Sequence, residues 1–226
     1  MRSVTKKPVV PPRSTVPRRK GRPVGQDNIG ADRVLTAARQ LLRDKRPDQL
    51  TQTNIAKAAG VDPKLVRYYF GTLDNLLVQL AHRFILDISD RLTAISDIPG
   101  TTAEKIELRI KTLLSFYVET PNFWPLLLDK IYLASDAKAK TVRRDFNKTS
   151  YQRLANIVLK GIELDEVRGD IDARFLYMVL LGVCEIFATA KPIRDVLFSE
   201  YEQDGLAERY ADFLSKIIMN GLKPLD

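Results

Sequence analysis

The octapeptide Pro63-Lys64-Leu65-Val66-Arg67-Tyr68-Tyr69-Phe70 divides its chemistry cleanly between two sides. At about 100° per residue on a helix, Pro63, Lys64, Arg67 and Tyr68 share one side, and Leu65, Val66, Tyr69 and Phe70 the other. The first side offers two cations and a phenol: Lys64 and Arg67 suit phosphate oxygens or the N7/O6 edge of guanine, and hydroxyls such as Tyr68, Tyr69, Thr51 and Thr53 suit phosphate. The second side offers aliphatic and aromatic groups to dock on a core. Lys64 and Arg67 alone favour an ordinary solvated helix with two surface charges, so the elements around them carry the argument.

Those elements are read from caps and periods. Val34, Leu35, Ala38, Leu41 and Leu42 recur at helical spacing in a first helix from about Ala31 to residues 44–46, before Pro47. A short second helix fits Thr51 to Ala59, with Thr51 or Thr53 as cap and Gly60 as left-handed stop. After only Val61, Asp62 can cap a third helix with Pro63 at its first position, where a missing N–H costs nothing. Thr72 then caps a long fourth helix striped by Leu73, Leu76, Leu77, Leu80, Phe84 and Ile88. Two short helices joined by a glycine turn form a helix-turn-helix, whose second helix can enter a DNA major groove.

Past Pro99-Gly100 the pattern stays helical. Thr101 to Glu104 reads as a capping box opening a helix to about Glu119. Further helices are expected at about 122–136, 138–164, 172–190 and 204–221, separated by Pro121, Arg168-Gly169-Asp170 and Lys191-Pro192. No strand alternation is found. The expected fold is all-α: a three-helix helix-turn-helix head followed by a larger helical body for ligand binding and dimerisation. The expected division is a disordered basic arm over 1–29, a head with its connecting helix over 30–90, and the body over 91–226.

The stretch "TQTNIAKAAGVDPKLVRYYFGTLDNLL" resembles the helix-turn-helix of TetR-family transcriptional regulators, matching at Ile55, Ala56, Ala59, Gly60, Val61, Val66, Tyr69, Phe70 and Leu76. The resemblance implies a homodimer on a palindromic operator, with a body that binds an inducer. It places Thr51, Thr53, Pro63, Lys64, Arg67, Tyr68 and Tyr69 toward DNA. It also exposes a departure: where the family often has a phosphate-touching lysine near the start of helix four, this chain has Leu73.

Composition fits and narrows this reading. The net charge is +8, and residues 1–26 hold eight basic side chains and no acid, so the whole excess lies there. Within that segment Lys20-Gly21-Arg22-Pro23 looks like the core of an AT-hook, in which arginine enters a narrow A·T minor groove. A plain cationic leader fits the same residues, and both readings stand. The lone Cys184 and lone His82 exclude a disulfide framework and a soft-metal site. No signal peptide and no apolar run of about 18 to 20 residues appear, so a cytoplasmic protein without a membrane partner, cofactor or metal is expected.

Residues 172–190 are apolar around most of the helix, which suits a subunit interface or a central core helix. Pairing of this helix and of residues 204–221 with their copies is expected, with Gly182, Ala188 and Ala190 allowing close approach. A ligand pocket is expected among Phe116, Tyr117, Phe123, Trp124, Leu128, Tyr132, Tyr151, Tyr177 and Cys184, and the scarcity of charge there points to an apolar ligand. Two other classes remain open. One is an architectural DNA-binding protein without an inducer. The other is an all-α enzyme, disfavoured by the absence of an HExxH helix, a phosphate loop and any Ser–His pair except through His82.

Overall fold

The computed structural model describes residues 26–202 and 204–224. Among these residues ten α-helices and no strand are found. Helices α1 (Gln26–Leu41), α2 (Gln52–Ala59) and α3 (Pro63–Phe70) build the head, and α4 (Leu73–Asp97) runs from it into the body. The body comprises α5 (Thr102–Glu119), α6 (Phe123–Leu127), α7 (Ala137–Glu163), α8 (Ala173–Thr189), α9 (Lys191–Leu197) and α10 (Leu206–Leu222).

The caps sit where local chemistry puts them. The Thr51 hydroxyl accepts from the Asn54 N–H at 3.1 Å, and Asn54 Oδ1 accepts in return from the Thr51 N–H at 2.9 Å. Gly60 ends α2 at φ 62°, a left-handed conformation that favours a residue without Cβ. Asp62 Oδ1 then accepts from the Lys64 N–H at 2.7 Å, and Thr72 caps α4 through the Asn75 N–H at 3.1 Å. Thr101 and Glu104 form the reciprocal box at the start of α5. Each cap satisfies an N–H that the first turn leaves without a partner. Thr51→Ala and Asp62→Ala are each expected to lower stability by about 1 kcal/mol, measured by chemical denaturation; no change in midpoint would show that the turn is held by packing alone.

One apolar cluster joins head and body. Val34, Ala38, Ile55, Ala56 and Val66 are completely buried in the head, and Leu76, Leu80, Phe84 and Ile88 carry the same core along α4. In the body α5 is central and packs on α4, α7, α8 and α10.

Four differences from the sequence expectations have local causes. Helix α1 begins at Gln26, inside the segment expected to be unstructured, because the last helix-breaking proline is Pro23. The break expected at Lys191-Pro192 is present, as α8 ends at Thr189 and the chain bends by 77°, but a further helix, α9, opens there, since proline is tolerated in a first turn. Helix α6 gives way to a π-helical stretch at Leu128–Tyr132, where the Leu133 N–H reaches Leu128 O at 2.9 Å. A 3₁₀ turn at Pro47–Gln49 follows α1.

Among the described residues no single helix is long and apolar enough to cross a membrane; α8 and α9 meet that test only together, bent by 77°.

Candidate nucleic-acid interface, ligand chamber and uncovered face

Helix α3 is fastened by its inner side and presents its outer one. Val66 and Phe70 are buried, whereas Pro63, Lys64, Arg67 and Tyr68 are exposed, Tyr68 by 60%. Thr51 and Thr53 are exposed on either side of the start of α2, and the Gln52 amide donates to Gly71 O at 3.0 Å, tying that start to the end of α3. The Thr51 hydroxyl accepts in its cap and keeps its own proton to donate. Tyr69 is half-buried, and its ring abuts Gly30 so closely that a Cβ there would collide with it. Its position is therefore structural first.

Arg39, Arg46 and Arg83 in the same region pair with Asp87, Asp48 and Asp32. Lys64 and Arg67 have no acidic partner among the described residues. A solvated surface helix tends to spread charges of both signs, and this one leaves two cations open. At the start of α4 the expected lysine is replaced by Leu73, which packs against the core. Lys20 and Arg22 lie outside the described residues.

The body encloses a cavity of about 20 Å³, room for one water molecule. Phe116, Tyr117, Phe123, Trp124, Tyr132 and Tyr177 line it, as the sequence suggested. Three expected wall residues do not. Leu128 is exposed on the π-helical stretch. Tyr151 meets Tyr177 edge-on at 6.3 Å and lines an outer hollow beside Asp172 and Arg174. Cys184 is fully buried with its thiol toward Ile110 O, and burial pushes its pKa up to about 12, so it is an inert core thiol.

The residue that sequence reasoning missed is Arg109. It lines the cavity at 1% exposure, and its Nη2 donates to Ser150 O at 3.1 Å. Its Nε and Nη1 have no acceptor. Burial lowers its pKa to about 10, which leaves it cationic at neutral pH. A signal existed: Arg109 occupies the apolar phase of α5 between Ile106 and Leu113, where a charge is out of pattern. The walls thus carry one charged group, the guanidinium, among apolar side chains, Ser150 and tyrosine hydroxyls. Tyr132, whose hydroxyl donates to Asn147 Oδ1 at 2.6 Å, and Tyr177 add phenols that burial keeps neutral.

Physical links run from this cavity to the head. Phe84 of α4 meets Phe116 and Phe123 edge-on, at 6.2 and 5.6 Å, and the Arg39 guanidinium lies over the Phe84 ring, 5.0 Å from its centroid. Arg39 and Arg91 both bind Asp87, at 2.8 and 2.9 Å, and Arg91 reaches Glu119 at 3.1 Å. Burial alone would raise the Asp87 and Glu119 carboxyls, but the arginine hydrogen bonds outweigh it and hold both below their usual values. Lys130 in the π-helical stretch pairs with Asp74 of α4 at 2.6 Å, and the Asn122 amide donates to Leu42 O at 2.9 Å. His82, half-buried on α4, has an Nε2 without partner, and burial and then nearby Lys138 lower its pKa. The start of α6 and the π-helical stretch after it are therefore tied by polar contacts to Leu42, just past α1, and to α4.

The apolar girth of α8 is split. Leu176, Leu180, Cys184, Phe187 and Ala188 face inward, and Phe175, Met178, Val179, Gly182 and Ile186 form the opposite stripe, with Phe175, Met178, Val179 and Ile186 exposed. Phe213, Ile217 and Gly221 make a second exposed stripe on α10. The two helices are linked by Tyr210, which stacks on Phe187 at 4.3 Å and donates to Val183 O at 3.1 Å. Added Cβ atoms at Gly182 and Gly221 would meet nothing within 4 Å, so no contact among the described residues requires glycine there. Ala188, expected at the close approach, is instead inside, and Ala190 caps α8.

Residues 101–225 match the family model for the C-terminal domain of tetracyclin-repressor-like proteins. The HTH-type transcriptional regulator BetI of Rhizobium meliloti (strain 1021) is 26% identical over 104 residues, covering 45% of this chain and 51% of its own. The match thus spans about half the length of that curated relative. Among solved structures, the ketosteroid transcriptional regulator KstR2 of Mycobacterium tuberculosis superposes with a TM-score of 0.66 at 15% identity, over 85% of this chain and 94% of that one. The regulator FadR of Bacillus subtilis, in complex with stearoyl-CoA, gives 0.59 at 20% identity, over 81% and 97%. These likenesses establish a shared fold.

Proposed function

The chain belongs to the TetR family of transcriptional regulators, and from that premise we propose that it is a ligand-responsive repressor, acting in the cytoplasm as a homodimer on a palindromic operator. The observation that carries this reading is α3. Its inner side is locked into the core while Lys64, Arg67 and Tyr68 stand outward with both cations lacking acidic partners among the described residues. Thr51, Thr53, Pro63 and Tyr69 complete the proposed contact, phosphate-binding groups setting the register and Arg67 with Tyr68 reading base edges. The work is binding, with no catalytic residue assigned. The head is proposed to span 30–90 and the body 91–226.

The second copy is proposed to cover the stripes on α8 and α10, forming a four-helix bundle. Apolar surface of this extent on one face of a chain marks an association site. The ligand enters the ring-lined chamber of the body. Because that chamber has room for only one water, occupancy must displace a wall, and the π-helical stretch beside Trp124 and Tyr132 is the irregular one. Displacement there pulls on Lys130–Asp74 and Asn122–Leu42 and so reorients the head, shifting the population away from the operator-bound state.

Selection of bound sequences from a random duplex pool, followed by titration of the enriched site against random DNA at one salt concentration, tests the reading. An inverted repeat bound on the order of 10³-fold or more tighter than random sequence is expected. Equal affinities would instead favour an architectural protein.

The head has nearly balanced charge, so the basic segment is proposed to supplement its grip through Lys20 and Arg22 in the minor groove. Deleting residues 1–24, which leaves α1 intact, should flatten the dependence of log affinity on log salt by about 0.9 for each phosphate that is no longer neutralised. An unchanged slope removes the segment from the interface.

A further inference from the structure

We propose that Arg109 anchors a carboxylate, so that the ligand of the body is a monocarboxylic acid whose apolar remainder lies among the aromatic walls. The inference rests on the ligand-responsive reading above and names the chemical class of the ligand.

Arg109 is the largest of the fully buried side chains and it lines the cavity. One N–H from Nη2 goes to Ser150 O on α7, and Nε–H and both Nη1 protons have no acceptor. No acid among the described residues pairs with it. A tie between α5 and α7 through one carbonyl needs only one donor, and a neutral amide would supply it. Keeping an entire guanidinium in an apolar wall, with donors to spare, is a costly way to make that tie, because an uncompensated buried cation loses its hydration without a counter-charge. The arrangement makes physical sense when an anion fills the remaining donors, and a planar carboxylate fits the planar fork.

Charge balance selects one negative charge. The other cation whose field reaches Arg109 is Arg153, which donates to Ser89 O at 3.1 Å and lines a separate hollow with Thr93 and Ser96. The remaining walls are aliphatic and aromatic apart from Ser150 and the tyrosine hydroxyls, and none of them carries a second positive charge. A phosphate dianion would carry a second charge into this lining with no partner. The phenol of Tyr177, kept neutral by burial, can donate to a carboxylate, whereas the Tyr132 proton is already given to Asn147 Oδ1.

The test uses the full-length protein and a panel of acids with their neutral amides: benzoate, phenylacetate, octanoate and decanoate against benzamide, phenylacetamide, octanamide and decanamide. Calorimetric titration and thermal unfolding are read for wild type, Arg109→Met and Arg109→Lys. At least one acid is expected to bind and raise the melting temperature while its amide does not. Arg109→Met should weaken that acid on the order of 100-fold, erase the acid-over-amide preference, and leave the unliganded protein melting no lower than wild type. Arg109→Lys should keep part of the preference. Amides binding as tightly as their acids, no acid on the panel binding, or a Met variant that melts lower with its preference intact would each overturn the proposal, the last by showing a purely structural role. Operator binding by the unliganded wild type is measured in the same samples. If it stands while the acids fail, only the carboxylate site falls; if operator binding itself is absent, the regulator reading fails.

Discussion

Replacing Arg67 by alanine is expected to cost about 1 to 3 kcal/mol of operator affinity at each half-site, and Tyr68→Ala a comparable amount, while the dimer and its melting temperature are unchanged. The expectation follows from placement: both side chains stand on the outward side of α3, and the core contacts of that helix are made by Val66 and Phe70. In a dimer each substitution acts twice, so affinity for the palindrome should fall on the order of 100-fold or more. Random DNA should be affected less, because base-edge contacts contribute only to the specific complex. Lys64→Ala is a useful contrast. A lysine at a phosphate should weaken palindrome and random DNA alike and lower the salt slope by about 1 per phosphate touched. Fluorescence anisotropy on both duplexes, with the oligomeric state checked by light scattering, separates these outcomes. Full operator affinity in both the Arg67 and Tyr68 variants would remove α3 from the recognition surface.

The second large effect is expected from the uncovered stripes. A variant carrying Phe175→Glu and Ile217→Glu should be a folded monomer whose operator affinity is lower by about 10² to 10⁴-fold, since two heads no longer share one binding event. Both positions are more than half exposed in the single chain, Phe175 at 74% and Ile217 at 55%, so charge there does not disturb the monomer core. In the proposed bundle the same carboxylates would enter an apolar seam, where their desolvation is offset by no partner. Sedimentation analysis of the variant decides the point. A variant that remains dimeric would place the interface elsewhere, and a monomer that holds its operator as tightly as wild type would show that pairing does not support DNA binding.

The head is legible in the sequence to within a few residues because its signals are local. Thr51, Gly60, Asp62, Pro63 and Thr72 each act on a neighbour no more than three or four positions away, through a cap or a backbone angle. The phase of α3 follows from eight residues, so its outward set is readable too. The body is legible as helices but less so as a site. Tyr151 and Cys184 carry the same aromatic or soft chemistry as the true wall residues, yet Tyr151 sits at an outer hollow and the Cys184 thiol is turned to Ile110 O of α5. The apolar girth of α8 announces contact on every side without saying which side belongs to the chain itself.

What the sequence by itself determined is therefore the all-helical order, the helix-turn-helix with its exposed cations, and the confinement of excess charge to the leading segment, all set by backbone caps, periodicity and composition. The tertiary structure alone decided that Arg109 meets Ser150, 41 residues away, inside the body, that Ala188 turns inward while Gly182 stands exposed with open space around its Cα among the described residues, and that the π-helical stretch at Leu128–Tyr132 links the cavity to Asp74 of α4. Such facts depend on which faces of distant helices meet, and side-chain burial is settled only when those helices pack.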